Sequence, residues 1–320
     1  MKKRGLFPAI EPYNFGYLPV GDGHELYYEE CGNPKGIPVL YIHGGPGAGC
    51  DPGSRRFFDR EKCRIIIFDQ RGCGRSKPYK SIRANTTQHL VYDIHTLLKE
   101  LGIRLVLLFG GSWGSTLALV YAIAYPETLL GLVLRGIFLG SRGECADYLS
   151  GQMVHTRYPE IGERFLDHVP IEARSNPSDY YFEQMCSEDH EVRRKYSYEF
   201  VYYEAARLNL VQKSESALRK EILSEPYEAQ AIMEVYYIRN SCFLEDGYIL
   251  KHAKELSHVP TSIIHGRFDD VCPVQSAFAL HAAMPWAQLH IVTAGHARSD
   301  PEIRTMLITE TDRIVSELLQ

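Results

Sequence analysis

The sequence predicts an α/β protein: a mostly parallel sheet flanked by helices, with a helical cap inserted into it. Three observations predict this. Short apolar runs rich in Ile, Val and Leu recur along the chain, as expected of strands buried on both faces. Amphipathic helical stretches separate several of them. The alternation then breaks between about residues 140 and 255 and resumes at residue 260.

Six runs read as strands: IPVLYIHGG (37–45), RIIIFDQRG (64–72), RLVLLFGGS (104–112), LGLVLRGIF (130–138), TSIIHGR (261–267) and QLHIVTAG (288–295). Each is bounded by glycine or by polar residues. TTQHLVYDIHTLLKELG (86–102) places Leu90, Ile94, Leu97, Leu98 and Leu101 on one helical face and stops at Gly102. STLALVYAIAYPE (115–127) begins the next helix. The interrupting segment is charged and rich in tyrosine, shows no clear strand and reads as helices. The expected domains are therefore a sheet-bearing unit of residues 1–139 and 256–320 and an inserted helical cap of residues 140–255. No internal repeat or low-complexity tract is visible.

The composition narrows the class. The chain has 320 residues, 45% hydrophobic and 23% charged, as in soluble globular proteins. A net charge of −5 argues against nucleic acid or an anionic membrane as partner. The N-terminal stretch is basic but lacks an apolar core before Pro8 and Glu11, so no signal peptide is read there. No window approaches a membrane span. The 8 cysteines are scattered without C-x-x-C, which points to reduced thiols and a cytoplasmic location.

Gly110-Gly111-Ser112-Trp113-Gly114 fits G-x-S-x-G between a strand and a helix. In that context it is a nucleophile elbow: a strained turn lifts the serine hydroxyl clear of the sheet, and the glycines let strand and helix pack closely. With 26 glycines in the chain, the pattern needs its context and its partners to carry meaning. Serine requires a base, and the base an orienting acid. Folds built on this elbow supply them in the order Ser, Asp/Glu, His, from loops after later strands. SIIHGRFDD offers Asp269, with Asp270 as the alternative, and HIVTAGHARSD offers His296. Of the other histidines, His281 and His290 read as structural, and His43 and His265 as shaping loops. Cys272 reads as a packed neighbour of the acid loop. There is no H-E-x-x-H and no Cys/His cluster with zinc spacing, so no metal or cofactor is expected. His43-Gly44-Gly45-Pro46-Gly47 follows the strand where such folds place half of an oxyanion hole. The candidate donors are the N–H groups of Gly45 and Trp113.

With these residues in view, the chain resembles the proline iminopeptidases, serine peptidases of the α/β-hydrolase fold. The resemblance rests on VGDGHELYYEECGNP (20–34), HGGPG (43–47), DQRGCGRS (69–76), NTT (85–87), GGSWGSTLAL (110–119), VLRGIF (133–138), HGRFDDVCP (265–273) and AGH (294–296). It implies Ser112, Asp269 and His296 as the triad, in agreement with chain order. In the cap it implies Glu204, in FVYYEAA, and Glu234, in AIMEVYYIRN, as receivers of the substrate amino group. Phe or Tyr stands here where the family has tryptophan. Arg135 and Phe138 match positions near the substrate pocket. Carboxylates in a desolvated pocket suit a protonated chain end, and an aromatic floor suits a proline ring. The expected activity is release of N-terminal proline from peptides through an acyl-enzyme. The alternatives are an esterase, lactonase or broader aminopeptidase on the same scaffold, or a binding protein that retains it. Oligomeric state is not legible.

Overall fold

The computed structural model describes residues 3–150 and 152–320, the side chains of residues 149, 150, 152 and 153 apart. Its single sheet has eight strands: β1 (Asn14–Gly21), β2 (His24–Gly32), β3 (Ile37–Ile42), β4 (Cys63–Phe68), β5 (Val106–Gly111), β6 (Leu129–Arg135), β7 (Thr261–Gly266) and β8 (Gln288–Val292). Their spatial order is β1-β2-β4-β3-β5-β6-β7-β8. The pairs from β4 to β8 are parallel, whereas β1, β2 and β4 pair antiparallel. The six runs read from sequence are β3 to β8. The β1–β2 hairpin is additional. It turns at Asp22-Gly23, both with positive φ, in a dipeptide well suited to a tight two-residue hairpin.

Among the described residues, twelve α-helices follow in chain order. The first two are α1 (Thr87–Glu100) and α2 (Trp113–Ala124). Between β6 and β7 lie α3 (Arg142–Ser150), α4 (Gln152–Arg157), α5 (Pro159–Asp167), α6 (Pro177–Met185), α7 (His190–Ala205), α8 (Glu215–Ser224), α9 (Tyr227–Arg239) and α10 (Tyr248–His252). α11 (Val274–Ala283) and α12 (Pro301–Leu318) complete the chain. α1 buries Leu90, Ile94, Leu97 and Leu98, the face expected from its spacing. α2 begins at Trp113, directly after the serine.

Alternation along the central strands fills both sides of the sheet. Val106 and Leu108 of β5 join the core formed with α1, α2 and α11. Leu107 and Phe109 join the opposite core, which Ile303, Met306 and Leu307 of α12 complete. Burial on both faces explains why these strands read as continuous apolar runs. A third cluster, including Phe165, Tyr181, Phe200, Leu218 and Val235, lies among the helices between β6 and β7. The loops carrying the sequence-predicted site residues leave the carboxyl ends of β3, β5, β7 and β8, where parallel sheets open their crevices.

Candidate active site

Ser112 sits at the apex between β5 and α2 with φ 59° and ψ −130°. Such a conformation costs a non-glycine residue on the order of 1–3 kcal/mol and persists only where its surroundings enforce it. Here they do. The Ser112 N–H donates to the Arg135 carbonyl (2.9 Å), and the Ser112 carbonyl accepts from the Ser115 N–H (2.8 Å) and hydroxyl (2.7 Å). The flanking glycines are steric necessities. A Cβ on Gly110 would lie 2.2 Å from the Gly114 carbonyl oxygen, and one on Gly114 would lie 2.2 Å from that of Ile42.

His296 faces Asp269, with Nδ1 2.7 Å from Oδ2. The other carboxylate oxygen of Asp269 accepts the N–H groups of Val271 (3.0 Å) and Cys272 (2.8 Å). Burial pushes this carboxyl up, but His296, the nearby His265 and the Cys272 N–H outweigh burial and hold it below its usual value. Asp270 points elsewhere: it accepts from the Tyr158 hydroxyl (2.7 Å) and pairs with Arg157. Of the two sequence alternatives, Asp269 is therefore the one brought to the imidazole. Cys272 is buried, and burial pushes its thiol well up.

Ser112 and His296 line one cavity of about 370 Å³, together with Gly44, Gly45, Arg135 and Glu204. Gly45 has φ +104°, and a Cβ there would lie 2.6 Å from the Gly47 nitrogen. Trp113 opens α2, whose first N–H groups lack partners within the helix and form its positive end. The two loops are joined by Gln70, a residue that sequence reasoning missed. Its side-chain oxygen accepts the Trp113 indole N–H (2.9 Å) and its amide donates to the His43 carbonyl (2.9 Å). Its backbone N–H donates to His43 Nε2 (3.0 Å). The signal was present in DQRGCGRS, but not what it touches. His43 is thus occupied in loop structure. So is His265, which accepts the Ile137 N–H at Nδ1 and holds the Cys272 carbonyl through Nε2. Burial lowers the pKa of both imidazoles. His281 lies on α11, and His290 on β8 approaches Glu310.

Glu204 on α7 and Glu234 on α9 converge on a second missed residue, Tyr148 of α3. The Tyr148 hydroxyl is hydrogen-bonded to Glu204 Oε2 (2.7 Å) and to Glu234 Oε1. One hydroxyl hydrogen cannot serve two ionised carboxylates, so one carboxyl must carry a proton. Burial, then the adjacent Glu204, pushes Glu234 well up and makes it the holder. Its Oε2 is buried without a hydrogen-bond partner. Gln230 donates to Glu204 Oε1 (3.4 Å). Arg207 lies over the Tyr148 ring, 5.4 Å from its centroid.

Phe138 lines a neighbouring cavity of about 400 Å³ with Tyr148, Val271 and Pro273. Arg135 turns beneath the elbow, and its guanidinium donates to the His296 carbonyl (2.8 Å). Arg135 thus reaches the loop of His296, and Phe138 lines the adjoining cavity.

A family model described as the alpha/beta hydrolase fold matches residues 37–153. The chain is 41% identical over 317 residues to the "Probable proline iminopeptidase" of Leptolyngbya boryana, covering 98% of each chain. It is 39% identical to the proline iminopeptidase of Arabidopsis thaliana, over 98% of this chain and 83% of that one. Among solved structures it resembles the esterase RhEst1 from Rhodococcus (TM-score 0.64, 19% identity, 95% of this chain and 99% of that one), a likeness of fold alone. Strand order, elbow and near full-length identity agree: the chain belongs to the proline iminopeptidase family of the α/β-hydrolase fold.

Proposed function

We propose that the protein releases N-terminal proline from peptides, with Ser112, His296 and Asp269 as the catalytic triad. The observation that carries this reading is the meeting of Glu204, Glu234 and Tyr148, with Glu204 in the wall of the cavity that Ser112 and His296 also line. An esterase has no need for two carboxylates there. A peptidase that recognises a free amino terminus does, because a desolvated carboxylate pair favours an ammonium and rejects a blocked chain end. The substrate ammonium replaces the proton held by the pair. The neighbouring cavity, with Phe138 as an apolar floor, suits the proline ring.

Ser112 Oγ attacks the proline carbonyl carbon and its proton passes to His296. The N–H groups of Gly45 and Trp113 receive the negative oxygen, and Asp269 holds the imidazole and balances its charge. His296 then gives the proton to the leaving amine as the C–N bond breaks. Water, deprotonated by the same imidazole, hydrolyses the ester. These groups suffice for the reaction without a cofactor. The residues from 140 to 255 act as a recognition cap. The partners are peptides with a free N-terminal proline. A cytoplasmic location is supported by the eight free thiols; among the described residues no helix is long and apolar enough to cross a membrane.

A panel of aminoacyl arylamides, with free and acetylated amines, tests the reading. Proline arylamide is expected to be the preferred substrate. Glu204→Gln is expected to lower its kcat/KM at least about 100-fold, the scale of leaving a buried charge without its partner. Phosphonylation of Ser112 by an organophosphonate should change only a few-fold. Comparable cleavage of N-acetylproline arylamide overturns the proposal.

A further inference from the structure

Asp300 is the residue before α12, in the N-cap position, where an aspartate ordinarily accepts N–H groups of its own helix. It makes no such bond. Its carboxylate, 7% exposed, turns back toward the loop that carries His296. Oδ2 accepts the Gly295 N–H at 2.7 Å and the Leu210 N–H at 3.2 Å, and Oδ1 accepts from the Asn209 side-chain amide at 3.1 Å. Gly295 immediately precedes the imidazole. Asn209 and Leu210 belong to the segment that follows α7, the helix of Glu204.

The same segment grips the loop a second time. The Leu208 carbonyl accepts the N–H groups of both His296 (2.8 Å) and Ala297 (2.9 Å). The fit is close enough that a Cβ on Gly295 would lie 2.7 Å from the Leu210 nitrogen and 2.8 Å from the Leu208 oxygen. One residue earlier, Arg207 donates to the Asp270 carbonyl (2.9 Å), beside the acid. The main chain on either side of the imidazole is thus held by residues 208–210 and by one carboxylate. The ring itself is held by Asp269.

We propose that Asp300 is a positioning residue for His296, clasping the base loop to residues 208–210. The inference rests on the reading of His296 as the general base. A hydrogen bond from a carboxylate to a backbone N–H is among the stronger fixed constraints in a protein, and catalytic geometry is intolerant of shifts near 1 Å. The clasp also sits next to Glu204 in sequence, so the group that receives the substrate amine and the peptide that holds the base are one continuous segment.

Asp300→Ala and Asp300→Asn test this, with kcat and KM on proline arylamide, the rate of Ser112 phosphonylation, and Tm. All rates are expressed per site titrated. Asp300→Ala is expected to lower kcat roughly 10- to 100-fold, with KM within about twofold and phosphonylation slowed in parallel. Asp300→Asn keeps the shape and one acceptor and should lose roughly 3- to 10-fold in kcat. If the alanine variant does not fold, the asparagine variant decides. A role confined to stability lowers Tm and the number of titratable sites while leaving kcat per site and the phosphonylation rate unchanged, and that result overturns the proposal. Phosphonylation needs no amino-terminal recognition. If the wild type does not cleave proline arylamide while Asp300→Ala still slows phosphonylation, the substrate reading fails and the positioning role stands.

Discussion

Glu204 and Glu234 show how two buried carboxyl groups can stand side by side. Two carboxyl groups share one tyrosine hydroxyl, and burial keeps the proton on Glu234. Folding therefore retains a proton that the unfolded chain releases near the ordinary value of 4.5. Between 4.5 and the raised folded value, the folded state binds more protons than the unfolded state, so this group's contribution to stability is lost as pH rises. Glu234→Gln replaces the protonated carboxyl with an amide that does not titrate. Its Tm relative to wild type is expected to climb as pH rises above 4.5, over the range in which the unfolded chain has lost this proton and the folded protein still holds it. A difference that stays flat or falls over that range contradicts a proton on Glu234. Arg207, which faces the pair and opposes the shift, is the charged neighbour to keep constant in that comparison. The places of Ser112, Asp269 and His296 were legible from chain order because an elbow fixes which strand ends its partner loops must leave. Tyr148, Gln70 and Asp300 were not. Tyr148 bonds Glu204 and Glu234, Gln70 bonds His43 and Trp113, and Asp300, besides the nearby Gly295, bonds Asn209 and Leu210; these partners are distant in sequence, and nothing local marks such pairings.

At the level of elements, the elbow is a packing problem solved with missing side chains. β5 must reverse into α2 while the start of α2 lies against the end of β3. The Gly114 backbone is so close to β3 that a methyl group would sit 2.2 Å from the Ile42 carbonyl oxygen. Neither partner is a flexible side chain, so Gly114→Ala must move the helix start or the strand. It is expected to destabilise the protein by about 3 kcal/mol or more and to abolish Ser112 phosphonylation in any folded remainder. Denaturant unfolding and organophosphonate labelling measure the two effects separately, and wild-type values in both would show that the close approach is dispensable. The central strands were legible because burial on both faces writes an unbroken apolar run. The β1–β2 hairpin was not, since β1 is an edge strand with mostly exposed residues, including Phe15 and Tyr17. Its one local signal is the Asp22-Gly23 turn. The α2 boundary moved because Trp113 and Gly114 read as loop by propensity, while tertiary packing draws them into the helix.

Across the whole molecule, the segment between β6 and β7 is divided by its packing. α9 belongs to both parts. Ala231 and Val235 join the cluster of the cap helices, whereas Tyr237 and Ile238 join the core beneath the sheet. Tyr237 meets Trp113 edge-on at 4.8 Å and donates to the Asn85 side chain at 2.7 Å. Cys242 and Ile249 continue into the same core. α5 to α8, by contrast, contribute to the third cluster and to neither core of the sheet. Local stability follows such contacts, and units with a separate core open without the rest. Amides of α5 to α8 are therefore expected to exchange together, at a lower free energy than β3 to β6, while the end of α9 exchanges with the sheet. Glu204 and Glu234 sit on the two helices that this opening separates, so a ligand that bridges them should close it. With free L-proline at about a hundredfold its Kd, exchange of the α5–α8 amides should slow by about a hundredfold, the mass-action limit for a ligand lost on opening. Hydrogen exchange read by mass spectrometry measures both effects. If α5 to α8 exchange only at the rate of the sheet, the cap has no stability of its own. If proline leaves their exchange unchanged, its amine does not bridge α7 and α9.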